Sequence, residues 1–201
     1  MKKNYHHGDL APELLRAAEE ELRENGVEAF SLRAVAKRAK VSHGAPAHHF
    51  KDAQGLLTAL AGIGYERLVQ VQDKRKRAAM ADPKAQLLAS GLGYIDFAEK
   101  NAALFRLMFS SERPDRSDAR LATAANSAFH NLTVDVGSLL GSDPRSNPTA
   151  MRQVMASWAI AHGLADLMIV GRAERAMGFG SMKRKDRDEA LADIMLRAIT
   201  E

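Results

Sequence analysis

The chain has 201 residues, 46% of them apolar, and no cysteine. That is enough apolar material for one large core or two small ones, and it excludes a disulfide framework and thiol chemistry. The formal net charge is +4, a weak pull toward polyanions when taken alone, and no apolar run approaches the roughly 18 residues needed to span a bilayer.

In chain order, MKKNYHHGDL carries two lysines but no apolar stretch after them. It is not expected to act as a secretory signal, and the chain is expected to be cytoplasmic. Asp9 is a plausible cap for a helix on which Leu14, Leu15, Ala18 and Leu22 recur at helical spacing, and Gly26 ends it. Ser31 can cap a short helix holding Leu32, Val35, Ala36 and Ala39. Ser42 can cap another from His43 to Phe50, and Asp52 a long one reaching about Lys76. Asp82-Pro83 opens a helix to about Lys100, with proline at its first position. A short helix follows from Asn101 to Ser110, then a SERPDRSD loop and a helix from about Asp118 to Leu140. After a GSDPRSNP loop, Asn147-Pro148 opens a long apolar helix to about Gly171. RAMGFGSMKRK reads as a loop, and Asp186 opens the last helix. Alternating β-branched runs are missing, so the expected fold is all-α with about nine helices. Residues 1–51 are expected to form a small N-terminal domain and 52–201 a larger helical bundle.

A helix over 31–39, a turn of about three residues and a helix over 43–50 have the spacing of a helix-turn-helix. At 100° per residue, Pro46, His49 and Phe50 cluster on one side for packing. His43, Gly44, Ala47 and His48 lie on the other. Residues 31 to 51 hold Arg33, Lys37, Arg38, Lys40 and Lys51 and no acid, which suits either a solvated basic face or a nucleic-acid surface. The free N–H groups at Ser42, where the second helix starts, suit phosphate, and a short helix fits the major groove. Pro46, at the fourth position of that helix, would forfeit one backbone hydrogen bond. The three histidines of VSHGAPAHHF, alone or with His6 and His7, also invite a metal. Adjacent histidines on a helix point about 100° apart, and no Asp, Glu or Cys joins them, so no metal site is assigned. No nucleophile or phosphate loop accompanies them either, and no catalytic residue or cofactor is expected.

These segments carry a resemblance. YHHGDL, LLRAAEEELRENG and FSLRAVAKRAKVSHGAPAHHFKDAQGLLTAL are similar to the DNA-binding domain of the TetR/AcrR transcriptional regulators. SWAIAHGLADLMIVG, with Trp158, His162 and Gly163, resembles the Trp-x-x-x-His-Gly signature of a C-terminal domain found in some of them, and the similarity extends through LFRLMFSSE. The resemblance implies a homodimer whose helix-turn-helix docks on a palindromic duplex operator, and a larger domain whose small-molecule effector releases the DNA. It places Ser31, Arg33, His49 and Lys51 at phosphates, and His43, Gly44, Ala45 and His48 at bases or sugars. Three positions depart from the family pattern. Lys40 stands where glycine is usual in the turn, Ala47 where an aromatic is usual, and Ala53 where lysine is common.

In the larger domain, Trp158 and His162 share a helix face. They read either as packed core or as the wall of an effector cavity that Phe97, Phe105, Met108, Phe109 and Phe129 could line. Leu164, Leu167 and Met168 on one helix, with Leu191, Ile194, Met195 and Ile199 on the other, are candidate dimer contacts, because a helix apolar on more than one face must be covered twice. Glycines 62 and 64 could let the long helix from Asp52 pivot. Two alternatives stay open: a DNA-binding regulator controlled by a partner protein, and a helical-bundle enzyme in which His162 and Asp166 orient one another.

Overall fold

The structure is a computed structural model that describes residues 10–197; Asp9, His6, His7 and Ile199 lie outside the described residues. Among these there are ten α-helices: α1 (Leu10–Asn25), α2 (Leu32–Arg38), α3 (Ala45–Phe50), α4 (Ala53–Ala78), α5 (Pro83–Lys100), α6 (Ala102–Ser110), α7 (Ala119–Leu140), α8 (Pro148–Ile169), α9 (Arg172–Met177) and α10 (Arg184–Arg197). A 3₁₀ turn spans Phe179–Ser181. None of these helices is long and apolar enough to cross a membrane.

Local chemistry sets most of the helix starts. Ser31 accepts the Ala34 N–H at 3.2 Å, and Asp52 accepts the Gly55 N–H at 2.8 Å. Asp82 caps α5 through the N–H groups of Lys84 and Ala85, and Asn147 caps α8 through those of Thr149 and Ala150. Each cap satisfies backbone donors that the first turn leaves without a partner. Three expectations fail, one of them the start of the last helix, which lies at Arg184 rather than at Asp186. RAMGFGSMKRK is not a plain loop, because α9 and the 3₁₀ turn form within it, held by buried Ala173 and Phe179. The second helix of the helix-turn-helix begins at Ala45 rather than His43, with Gly44 in the cap position.

The described chain divides into two compact units. The first takes residues up to Gly64 together with Ala103–Thr123. In it, α1 buries Leu14, Ala17, Ala18 and Leu22 at helical spacing, with Phe30, Val35 and Ala36 buried in the same unit. Leu56, Leu57 and Leu60 of α4 are buried, as are Leu104, Phe105 and Met108 of α6. Gly64 is tightly packed. A Cβ there would meet Met108 Sδ at 2.4 Å and Leu104 Cγ at 3.2 Å, so the glycine seats α6 against α4, and α4 runs helical through it. The loop after α6 is pinned by two hydrogen bonds. Arg113 donates to the Val27 carbonyl at 2.9 Å, and the Asp115 N–H donates to Thr58 Oγ1 at 2.8 Å.

The second unit takes Tyr65–Ala102 and the chain from Ala124 onward. Its central element is α5, buried from Gly93 through Ala98 and packed chiefly on α8 and α10. Leu87, Val136 and Val154 form a further core patch with Phe129, Leu132, Leu139 and Met151. Asp96, almost fully buried on α5, accepts from Arg75 Nε and from an Arg184 terminal nitrogen, each at 2.7 Å. Arg75 also pairs with Asp188 at 2.7 Å, and Arg187 pairs with Glu99 at 2.9 Å. The cluster thus ties the last turns of α4 to α5 and the first turns of α10. Removing one partner of a buried ion pair costs about 3–5 kcal/mol. Here the guanidiniums keep other acids, so Asp96→Asn is expected at the low end, about 3 kcal/mol, read as a lower urea midpoint.

Candidate nucleic-acid interface

The segment from Ser31 to Lys51 forms a helix-turn-helix whose two ends are closed by unusual backbone. The end of α2 is a Schellman motif: the Val41 N–H reaches the Ala36 carbonyl at 3.0 Å, and the Lys40 N–H reaches that of Lys37 at 3.2 Å. That motif needs a left-handed residue, and Lys40 supplies it with φ 56°. The cost to a residue with a Cβ is about 1–2 kcal/mol, the penalty that glycine would avoid. At the other end, Lys51 has φ 69° and ψ −58°, and the Asp52 N–H donates to the Phe50 carbonyl at 2.8 Å. This is a γ-turn of the rare, strained kind. It brings the Phe50 carbonyl so close to α4 that a Cβ on Gly55 would lie 2.1 Å from its oxygen.

The late start of α3 removes the difficulty with Pro46. The proline falls in the first turn, where its missing N–H has no carbonyl to serve, so no helix hydrogen bond is lost. Pro46 is buried and Phe50 half-buried, but His49 is exposed rather than packed with them. A helix of six residues has a buried stripe only as wide as those two side chains. Ser42, His43, Gly44, Ala47 and His48 are exposed, while Ala45 is half-buried. Ser42 does not cap α3; its carbonyl accepts the Ala45 N–H within the turn. The rings of His48 and His49 stand 5.5 Å apart and nearly perpendicular, and among the described residues no three His, Asp or Glu side chains gather as for a metal.

The basic stretch divides by partner. Arg38 turns onto α1, at 2.6 Å from Glu24 and 3.1 Å from buried Glu21, and these carboxylates raise its pKa. The acidic face of α1 thus takes this cation out of the basic surface. Arg33, Lys37, Lys40 and Lys51 are exposed and have no ion pair with the described residues. Asp115 has its pKa lowered first by hydrogen bonds from Ser117 and only then by the charge of Lys51.

The candidate cavity residues fall in both units. Phe105, Met108 and Phe109 belong to the first, where Phe105 and Met108 are wholly buried and the Phe105 and Phe109 rings lie 4.9 Å apart. Phe97, Phe129, Trp158 and His162 belong to the second, with Phe97 wholly buried. Trp158 lies 5.9 Å from Phe129 and 6.4 Å from His162, edge-on to both. Tyr94 of α5 completes this cluster, a member that the sequence reading misses. Its hydroxyl lies 2.8 Å from His162 Nδ1 and accepts the Trp158 indole N–H at 3.4 Å. Burial pushes the Tyr94 phenol up and keeps it protonated, so the hydroxyl has a proton to share in this contact. His162 Nδ1 is therefore committed to Tyr94 rather than to the Asp166 carboxylate, which is exposed.

Of the candidate dimer contacts, Leu164, Met168, Leu191 and Met195 are buried inside the second unit, Ile194 is half-buried and Leu167 is exposed. Their apolar character is used within the chain: a Cβ on Gly91 of α5 would meet Met195 Sδ at 2.6 Å. The exposed large apolar residues of α8 are instead Met155 and Leu167, followed by Val170 at its end.

The two glycines of α4 that differ most in surroundings give a direct check of the turn. Gly55→Ala must displace the Phe50 carbonyl and is expected to destabilise the chain by about 1–3 kcal/mol, as overpacking does. Gly62→Ala meets nothing within 4 Å and is expected to stabilise it by about 1 kcal/mol through helix propensity. Urea denaturation of the two variants beside the parent measures both signs.

Residues 14–60 match the family described as "Bacterial regulatory proteins, tetR family", and residues 87–199 match "Tetracyclin repressor-like, C-terminal domain". An HTH-type transcriptional regulator, BetI of Paraburkholderia xenovorans (strain LB400), is 31% identical over 121 residues, which cover 58% of this chain and 62% of that protein. The chain therefore matches less than two thirds of the length of that relative. A protein of unknown function from Rhodococcus sp. RHA1 superposes over the full length of both chains, with a TM-score of 0.78 and 28% identity. PfmR, a TetR family transcriptional regulator from Thermus thermophilus, has the same fold, with a TM-score of 0.66 over 94% of this chain and 99% of its own at 20% identity. With the C-terminal match alone covering more than half of the sequence, this chain belongs to the TetR family of bacterial regulatory proteins.

Proposed function

We propose that this chain is a sequence-specific DNA-binding transcriptional regulator, a homodimer that represses from a palindromic operator and is released by a small molecule. The observation that carries the DNA reading is the four exposed cations, without an ion pair among the described residues, around a capped helix-turn-helix in a family of regulators. In this reading α3 enters the major groove with His43, Gly44, Ala45 and His48 toward the bases or sugars. Ser31, Arg33, Lys37, Ser42, His49 and Lys51 face the backbone, where cations add affinity without reading sequence. The relative named BetI is described as an HTH-type transcriptional regulator, which supports the same role here. The protein works as such in the cytoplasm and needs no catalytic residue.

The two-fold partner docks on the exposed large apolar residues of α8, Met155 and Leu167, and on Val170 at its end, since the neighbouring leucines and methionines are used inside the chain. A dimer of this kind presents two recognition helices about one DNA turn, roughly 34 Å, apart. The effector reading rests on the aromatic cluster of Phe129, Trp158, His162 and Tyr94, which offers flat apolar faces beside a few fixed polar atoms, as small-molecule sites do. Release follows only if the effector prefers the state with poorly spaced recognition helices; a preference of about 1–3 kcal/mol weakens operator binding roughly 5- to 150-fold.

Anisotropy titrations with labelled duplexes test the interface. Lys37→Ala combined with Lys51→Ala is expected to weaken binding to all sequences alike and to flatten the salt dependence by nearly two per chain. His43→Ala is expected to blur the preference for one sequence instead. If both variants bind like the parent, the interface has been misassigned.

A further inference from the structure

Among the described residues, two that are not glycine have positive φ, and both are lysines: Lys40 and Lys51. They stand on either side of the recognition helix, one in the Schellman motif before it and one in the γ-turn after it. In each place the backbone hydrogen bonds are made by main-chain atoms, so glycine would close the same turn with no Cβ to strain. Neither side chain makes a hydrogen bond or ion pair with the described residues that could offset the strain. Both are exposed. Of the two cations in the last turn of α2, Arg38 is neutralised by Glu21 and Glu24 while Lys37 is exposed, so Lys40 adds a second free positive charge beside Lys37. The charge of Lys51 acts on Asp115 within the chain, whereas Lys40 has no such partner among the described residues, and strain held at an exposed position of that kind points to a partner outside the chain.

We infer that Lys40 is a DNA-backbone contact of this chain, and that with Lys51 it brackets the recognition helix with two cations, each neutralising a phosphate. The inference rests on the DNA reading above and adds a contact at the position where the family usually has glycine. It makes the strained turn a device that holds a positive charge against the duplex at some expense of stability.

Backbone contacts ignore sequence, so the test needs no operator. The full-length chain is titrated onto a labelled, random-sequence duplex of about 30 base pairs at several salt concentrations, and each protein is also unfolded in urea. Lys40→Gly is expected to unfold at a higher urea concentration than the parent, which shows that its fold is intact. It is also expected to bind about eightfold more weakly per contact at about 0.1 M salt, with the slope of log affinity against log salt shallower by about 0.9 per chain. Lys40→Asn, a neutral residue that tolerates the left-handed conformation, is expected to lose the same slope, and Lys40→Arg to keep it. Lys84→Ala, which removes an exposed lysine on α5, serves as the charge control and is expected to leave the slope unchanged. A parent that binds with a steep salt dependence, beside a Lys40→Gly variant of identical slope, overturns this inference and leaves the DNA reading standing. A parent that does not bind the duplex at low salt overturns the DNA reading and this inference together.

Discussion

Two residues separate the end of the recognition helix from the start of α4, and the chain reverses within them. The reversal is made by the Phe50 carbonyl accepting the Asp52 N–H around Lys51, and the same Asp52 caps α4 through Gly55. One short segment therefore ends one helix, begins another and fixes the angle between them. It requires a residue at positive φ and an adjacent turn of helix with no side chain facing the carbonyl. Lys51 meets the first requirement at a cost in strain, and Gly55 meets the second because no Cβ occupies the space where the carbonyl lies. The exposed faces of His43, His48 and His49 are aimed by this junction, so the proposed reading of a duplex depends on it.

The second unit is organised differently, around buried charge rather than backbone. Asp96 gathers guanidiniums from α4 and α10 onto the most buried helix of the unit, and Asp188 and Glu99 take the remaining positive charge. Such a cluster adds little net stability compared with apolar packing, but it resists partial rearrangement, because moving one member leaves another unpaired in a poorly solvated place. In the same unit, Tyr94 holds Trp158 and His162 through one hydroxyl. A ligand that inserts among these rings must break or replace those hydrogen bonds, which is how a small polar rearrangement becomes a change in packing.

What could be read from the sequence was local. Ser31, Asp52, Asp82 and Asn147 cap the helices they precede because a cap is decided by a side chain and the three residues after it. The helix-turn-helix was legible for the same reason, whereas Lys40 stood out only by its departure from the glycine usual in the family. The start of α3 was not, because Ser42 and Gly44 compete for the cap and Pro46 falls in the first turn only if Gly44 wins. The short α9 was hidden by its flanking glycines and is held by Ala173 and Phe179 in the core. Tyr94, 64 residues before Trp158, left no local signal; its only clue was that a buried phenol needs a partner and that a tryptophan and histidine four apart could offer two. Arg38 looked free because its acids lie on α1, although the EEELRE run on that helix held the information. Leu164, Met168, Leu191 and Met195 read as an outward face because nothing in their spacing distinguishes a second protomer from a neighbouring helix of the same chain.

The central claim is that the unit from Ser31 to Lys51 reads duplex DNA, two chains to a site. The most direct measurement is a hydroxyl-radical footprint of the full-length protein on the DNA upstream of its own gene, with the binding stoichiometry determined on the same fragment. The account predicts two chains per site and two symmetric protected patches about one helical turn apart, persisting in excess random-sequence duplex. A single asymmetric patch, one chain per site, or protection that disappears with the competitor would contradict it.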